Sequence, residues 1–220
     1  MPTPRPGHVP PRRSTRAAII LAGGRSSRMG TDKAALVVEG RTLLQRAVDA
    51  VSTLVDEVVL VGAPGRPLPA VEAAVPLHRV DDPVEGEGPL AGIAAGLAAI
   101  EAPVALVVGC DMPWLQPALL ELLLAHAEAG ARLVVPMSDG RPEGLCSAWR
   151  ADALPVVRAH FEAGDRRVMS VATDLEAARL DPDDYAEADP DGRSFRNLNT
   201  PEELARATLE GSAPDQDARA

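Results

Sequence analysis

The stretch "RAAIILAGGRSSRMGTDK" (residues 16–33) changes character halfway. "RAAIILA" (16–22) is apolar and carries the β-branched pair Ile19 and Ile20, which reads as a buried strand. It runs straight into Gly23, Gly24, Ser26, Ser27, Arg28, Gly30 and Lys33. Glycines let backbone N–H groups turn toward an anion and approach it closely. Serine hydroxyls add donors, and Arg28 and Lys33 add charge. The spacing is neither that of a P-loop nor G-x-G-x-x-G. On composition alone, a flexible glycine turn with solvated arginines accounts for it equally well. Lys33 stands out further. Of 22 positive residues it is the one lysine, the other 21 being arginine. A lysine ammonium is a compact charge on a flexible stem, where arginine is a planar fork.

Outward from this stretch, apolar runs alternate with segments of helical period. "TLLQRAVDAVSTL" (42–54) predicts a helix with Thr42 as N-cap. "EVVLVG" (57–62) and "LHRVDD" (77–82) predict strands, and "PLAGIAAGLAAIE" (89–101) a helix rich in small residues. "PVALVVGCDMP" (103–113) is a continuous apolar strand ending in an acid. "QPALLELLLAHAEAG" (116–130) predicts a helix begun by Pro117 and stopped by Gly130. Strands follow at 131–137 and 143–149, then helices at 151–164, broken near Pro155, and at 166–175. "TPEELARATLEG" (200–211) has a capping box at Thr200 and Glu203, with Pro201 at the first helical position. The alternation predicts a single-domain, Rossmann-like α/β fold: a doubly wound, mostly parallel sheet with helices on both faces. The domain is expected over 16–210, between disordered tails at 1–15 and 211–220. Ligands in such sheets sit outside the carboxyl ends of the strands.

Composition narrows the function. Net charge is −10, which argues against a nucleic-acid or anionic-membrane partner. Aromatic residues are only 2% of the chain against 46% hydrophobic, so Ala, Val and Leu must build the core. No apolar run has the length of a membrane span, and the basic N-terminus lacks a signal-peptide core. Cys110 and Cys146 are expected as reduced thiols in a cytoplasmic protein, and the histidines and cysteines form no zinc pattern.

Three further segments carry candidate residues. "GEGPLAGIAAGL" (86–97) comes after Asp81 and Asp82, and by itself reads as a turn before a helix. In "VALVVGCDMPWL" (104–115), Asp111 at the mouth of a buried strand is placed to hold a metal over a phosphate; its alternative is a turn or N-cap aspartate before the next helix. "RSFRNLNTPEEL" (193–204) offers Asn197 and Asn199 before a capped helix, and capping alone accounts for it.

Together these segments resemble the nucleotidyltransferases of Rossmann-like fold, and most closely the molybdenum cofactor guanylyltransferase family. That family's loop begins Leu-Ala-Gly-Gly, passes Ser-x-Arg-Met-Gly and ends Asp-Lys. Here Leu21, Ala22, Gly23, Gly24, Arg28, Met29, Gly30, Asp32 and Lys33 match it without a gap. Gly88-Pro89-Leu90-Ala91-Gly92, Asp111-Met112-Pro113 and Asn197-x-Asn199-Thr200-Pro201-Glu202 match its later motifs. The likeness spans about Ala17 to Leu204; the proline-rich segment 62–76 aligns poorly, so the guanine-side contact expected near Val61 or Gly62 has no assigned residue.

The resemblance implies a Mg²⁺-dependent transfer of GMP from GTP to the phosphate of molybdopterin, releasing pyrophosphate. It implies that Lys33, Arg28 and Asp111 are catalytic and that Asp111, with Asn199, holds the metal. Leu21, Ala22, Gly23, Gly24, Lys33, Gly88, Asp111 and an aspartate taken as Asp82, with Asp81 as its alternative, would bind the nucleotide. Arg141, Glu143 and Asn197 are candidates for the acceptor. The attacking phosphate oxygen is already anionic, so no general base is required. Leu-Ala-Gly-Gly accompanies GTP in this superfamily, where Leu-Ala-Ala-Gly accompanies CTP. A cytidylyltransferase for molybdopterin, another nucleotidyltransferase of small phosphorylated acceptors, and a non-catalytic nucleotide-binding module are the alternatives. Proteins that insert or receive the finished cofactor are the expected partners.

Overall fold

The computed structural model describes residues 15–23, 33–84 and 86–198. Gly24, Arg28, Met29, Gly30, Asp32, Asn199, the helix expected over 200–211 and both expected tails, apart from Thr15 and its contacts, lie outside the described residues.

Among the described residues, ten strands and five α-helices run in chain order: β1 (Arg16–Leu21), β2 (Val37–Val38), β3 (Arg41–Thr42), α1 (Leu43–Ser52), β4 (Glu57–Gly62), β5 (Leu77–Asp81), α2 (Pro89–Ala99), β6 (Val104–Gly109), α3 (Pro117–Glu128), β7 (Leu133–Ser138), β8 (Arg141–Pro142), β9 (Cys146–Arg150), α4 (Leu154–Glu162), β10 (Ala178–Leu180) and α5 (Pro182–Tyr185). The main sheet has the order β10-β7-β9-β6-β1-β4-β5, with β8 paired to β7. All pairs along it are parallel except the two made by β9, with β6 and β7. The sheet is therefore mostly parallel, with β9 reversed inside it and the short β8 antiparallel to β7.

Two cores cover its faces. Ala18 and Ile20 of β1 point into one, with Leu44 and Val48 of α1 and Leu119 and Leu123 of α3. Ala17 and Ile19 point into the other, with Leu90, Ile93 and Leu97 of α2, Val157 of α4 and Trp149. Strand alternation divides one apolar run between the two faces, and burial on both sides explains why β1, β4 and β6 read as continuous apolar runs.

The small residues of α2 have a packing reason. A Cβ on Gly96 would sit 2.4 Å from Ile19 Cγ2, and one on Gly92 would sit 3.3 Å from Leu21 Cδ2. The two glycines, one turn apart, let α2 lie directly on β1 and bring its N-terminus to the strand ends. From β1 the chain winds outward through β4 and β5, then α2 carries it back to β6 on the other side of β1. The carboxyl ends of β1 and β6 are the switch point of the fold.

Thr42 caps α1, accepting the Gln45 N–H at 3.1 Å. Pro117 opens α3, and Gly130, at φ +121°, follows its end. The later chain departs from expectation. The helix expected over 166–175 is a single 3-10 turn, Val168–Val171, and Pro155 opens α4 instead of breaking it. Pro155 needs no N–H partner in a first turn, which makes it a start signal there. "VVEGRT" forms the β2–β3 hairpin, turned at Glu39 (φ +50°) and Gly40 (φ +77°).

Candidate active site

A cleft of about 330 Å³ opens at the switch point. Leu21, Ala22 and Gly23 form its floor at the end of β1; Val61 comes from β4 and Asp82 from just beyond β5. Gly86, Gly88, Pro89 and Gly92 line one wall at the start of α2. Gly109, Cys110 and Asp111 line another at the end of β6, with Leu145 behind them and Lys33 across from them. Seven residues expected to bind or act on the nucleotide thus meet in one place, Leu21, Ala22, Gly23, Lys33, Asp82, Gly88 and Asp111, joined by Pro89 and Gly92 of the matched motif.

The backbone at the strand ends is drawn tight. The Ala22 N–H donates to the Val61 carbonyl at 2.8 Å, the Cys110 N–H to Leu21 at 3.1 Å and the Asp82 N–H to Gly62 at 2.8 Å. The Ala22 N–H is committed to the sheet, so the amides this loop can present to an anion begin at Gly23. A Cβ on Gly23 would lie 3.1 Å from the Ala63 nitrogen. That close approach explains the first glycine of the pair.

Lys33 opens a short 3-10 turn, Lys33–Ala35, anchored by buried Ala34. Its Nζ lies 3.1 Å from Asp111 Oδ2, and both side chains are 23% exposed. The Asp111 carboxylate folds back over Gly109, where a Cβ would stand 2.7 Å from Oδ1. The Leu198 N–H donates to the Asp111 carbonyl at 3.0 Å, fastening the Asn197–Leu198 segment beside the turn. Asn197 Oδ1 is buried there with no hydrogen-bond partner among the described residues.

The two adjacent acids separate cleanly. Asp82 is buried on the cleft wall, its Oδ1 accepting the Val84 N–H at 3.1 Å. Asp81 points outward and pairs with Arg79 at 3.0 Å. Among the described residues no histidine lines the cleft, and Lys33 is its one positive side chain.

Arg141 and Glu143 do not line it. Arg141 is exposed on β8, in a hairpin turned by Asp139 (φ +49°) and Gly140 (φ +72°). Glu143 is half-buried; burial, reinforced by Asp139, raises its carboxyl above the usual range. Gly86, Gly109 and Leu145 line the cleft without having been singled out, while Gly92 belongs to the matched motif and Val61 stands where the guanine-side contact was expected. Gly86 follows a strand, Gly109 ends one and Leu145 precedes one, which was their only signal. Both cysteines are buried and in no disulfide among the described residues, and burial pushes the Cys146 thiol far up.

The chain matches the family model described as "MobA-like NTP transferase domain" over residues 18–179. It belongs to the MobA-like NTP transferase family. Its relatives include the probable molybdenum cofactor guanylyltransferase of Chloroflexus aggregans, 38% identical over 86% of this chain and 91% of that one. The molybdenum cofactor guanylyltransferase of Desulfosudis oleivorans is 33% identical, with coverage of 86% and 92%. Among solved structures, molybdopterin-guanine dinucleotide biosynthesis protein A from Archaeoglobus fulgidus superposes with a TM-score of 0.73 at 25% identity, over 88% of this chain and 97% of that one. A Thermus thermophilus cytidylyltransferase shares the fold, with a TM-score of 0.66 at 18% identity. The MobA-like match covers every cleft-lining residue described above. Among the described residues no helix is long and apolar enough to cross a membrane.

Proposed function

We propose that this MobA-like protein transfers GMP from GTP to the phosphate of molybdopterin, forming the guanine dinucleotide and releasing pyrophosphate. The observation that carries the reading is the facing pair of Lys33 and Asp111, 3.1 Å apart at the switch point, in a chain whose relatives bear the guanylyltransferase name.

In the reaction an oxygen of the acceptor phosphate bonds to the α-phosphorus of GTP while the bond to the α–β bridging oxygen breaks. The nucleophile carries its own negative charge, which suits a cleft with no histidine among its described residues. What the site must do is align several anionic groups and meet their charge. Lys33, joined by Arg28 from outside the described residues, meets the charge of the triphosphate and of the leaving pyrophosphate. Leu21, Ala22 and Gly23 shape the floor for the nucleotide, the Gly23 amide donates to it, and Gly24, outside the described residues, is the further nucleotide-binding glycine. Asp82 accepts from the nucleoside, and Gly88 allows close approach of α2.

The donor set bears on the metal. No group of three His, Cys, Asp or Glu side chains among the described residues could hold an ion. A single carboxylate, Asp111, is what Mg²⁺ needs when it arrives on phosphates and keeps water as its other ligands. The residues fit such a substrate-borne ion, with Asn199 as the second oxygen donor. When bound, Mg²⁺ supplies charge neutralisation at the α-phosphate. The product passes to proteins that insert or use the cofactor, and two buried cysteines outside any disulfide among the described residues suit the cytoplasm.

Pyrophosphate release measured with GTP, CTP, ATP and UTP, each with Mg²⁺ and molybdopterin, tests the reading. Preference for GTP of about 100-fold or more in kcat/KM is expected. Equal use of CTP assigns a cytidylyltransferase, and nucleotide binding without turnover assigns a binding module; either result rejects the proposal.

A further inference from the structure

Behind the glycine wall of the cleft stands Arg166, four residues beyond α4 and outside the cleft lining. Its NH1 donates to the carbonyls of Phe161 at 3.0 Å and Asp165 at 2.9 Å. Its NH2 pairs with Glu87 at 2.5 Å, and its guanidinium carbon lies 4.4 Å from the Phe161 ring centroid. A planar fork over an aromatic ring can hold these partners together; an ammonium cannot. The turn that carries Arg166 is itself held, because His160 Nδ1 lies 2.7 Å from Asp165 Oδ2.

Glu87 sits between Gly86 and Gly88, both on the cleft wall. These glycines take φ +79° and +89°, the left-handed region in which a chain without side chains is least constrained. The loop's own Glu87 N–H to Val84 carbonyl bond is long, at 3.4 Å. On the outer side the Arg166 backbone carbonyl presses on Gly88 so closely that a Cβ there would be 2.6 Å away. Arg166 therefore meets this loop twice, through its guanidinium at Glu87 and through its carbonyl at Gly88.

We propose that Arg166 is a positioning residue for the nucleotide: it holds Gly86-Glu87-Gly88 from behind and so sets the wall against which the nucleotide rests, without touching substrate. The inference rests on reading the cleft as the GTP site. It predicts a binding effect with the chemical step spared, since Lys33 and Asp111 lie on other elements.

The test is steady-state pyrophosphate release by the full chain, with GTP varied at saturating Mg²⁺ and molybdopterin. Arg166→Gln and Glu87→Gln should each raise KM for GTP about three- to tenfold, with kcat within about twofold of wild type. The double variant should be no worse than Arg166→Gln alone, because one contact is being removed from its two ends. Arg158→Gln, which removes an exposed charge from α4, should keep wild-type values. An unchanged KM in Glu87→Gln, a surface substitution that spares the fold, overturns the inference even if Arg166→Gln does not fold. A fall in kcat at constant KM overturns it as well. If the wild type turns over no GTP, the functional reading fails and this inference with it; turnover with unchanged KM in the variants removes this inference alone.

Discussion

Lys33 Nζ and Asp111 Oδ2 lie 3.1 Å apart, so the site's one described cation and the carboxylate proposed for the metal neutralise each other before any ligand enters. A partly exposed pair of this kind adds only about 0–1 kcal/mol to stability. Lys33→Ala and Asp111→Ala should therefore fold with little change in urea midpoint while turnover falls on the order of 10³-fold. Lys33→Arg, conservative in charge, should lose about 10²-fold, because a fork cannot follow charge from triphosphate to pyrophosphate as a flexible ammonium can. Near-normal kcat in any of these variants contradicts the assignment.

Removing the ammonium leaves Asp111 without its opposing charge. Lys33→Ala should then bind free Mn²⁺ several-fold more tightly than wild type in the absence of nucleotide, read by electron paramagnetic resonance. Equal or weaker binding would mean that the pair does not screen the carboxylate.

The close approach of α2 to β1 sets another expectation. Gly96→Ala places a methyl 2.4 Å from Ile19 Cγ2. Overpacking of this kind costs about 1–3 kcal/mol, offset by up to about 1 kcal/mol of helix propensity. Urea denaturation should show a net loss in Gly96→Ala, and Ile19→Ala should cost less in that background than in wild type. Additive costs would place the clash elsewhere.

Asp189 is 2% exposed and accepts the N–H groups of Arg193 and Ser194, each at 2.9 Å. Ser194 Oγ in turn accepts the Gln116 N–H at the start of α3. Asp189→Ala strands two donors and should cost about 2–4 kcal/mol in urea denaturation. It should also lower kcat, since the same segment carries Leu198 to the Asp111 carbonyl.

His160 stands between Asp174 and Asp165, at 2.9 and 2.7 Å. Both carboxylates, Asp174 first, raise its pKa above the usual 6.5. A raised folded-state value favours the folded protein while the imidazole is charged. That contribution is complete below about pH 6.5 and disappears as pH rises through the raised value. His160→Gln should lie below wild type in Tm at pH 6 and converge with it at pH 9; a gap independent of pH contradicts the ion pairing.

Strands β1, β4 and β6 were legible because burial on both faces leaves a continuous apolar signature, and Thr42, Pro117 and Gly130 marked helix ends by local chemistry. The region 165–185 was not legible. Its turns are fixed by tertiary partners, Arg166 on Glu87 and His160 on two aspartates, which leave no periodic trace. β10 is a three-residue strand whose pattern is too short to read. The hairpin turns Glu39-Gly40 and Asp139-Gly140 carried their signal in the sequence, since glycine at positive φ after a polar residue suits a tight hairpin. Of the cleft, the motif residues could be found because each follows a strand. Leu145 could not, because an apolar residue beside a strand looks like core until the topology places it at the opening, and Val61 was approached only through the resemblance.

The most direct measurement is product analysis after incubating wild type and Asp111→Asn with GTP, Mg²⁺ and molybdopterin. The account predicts molybdopterin guanine dinucleotide and equimolar pyrophosphate from the wild type, and neither above background from the variant. Dinucleotide from the variant at a wild-type rate, or none from the wild type, would contradict it.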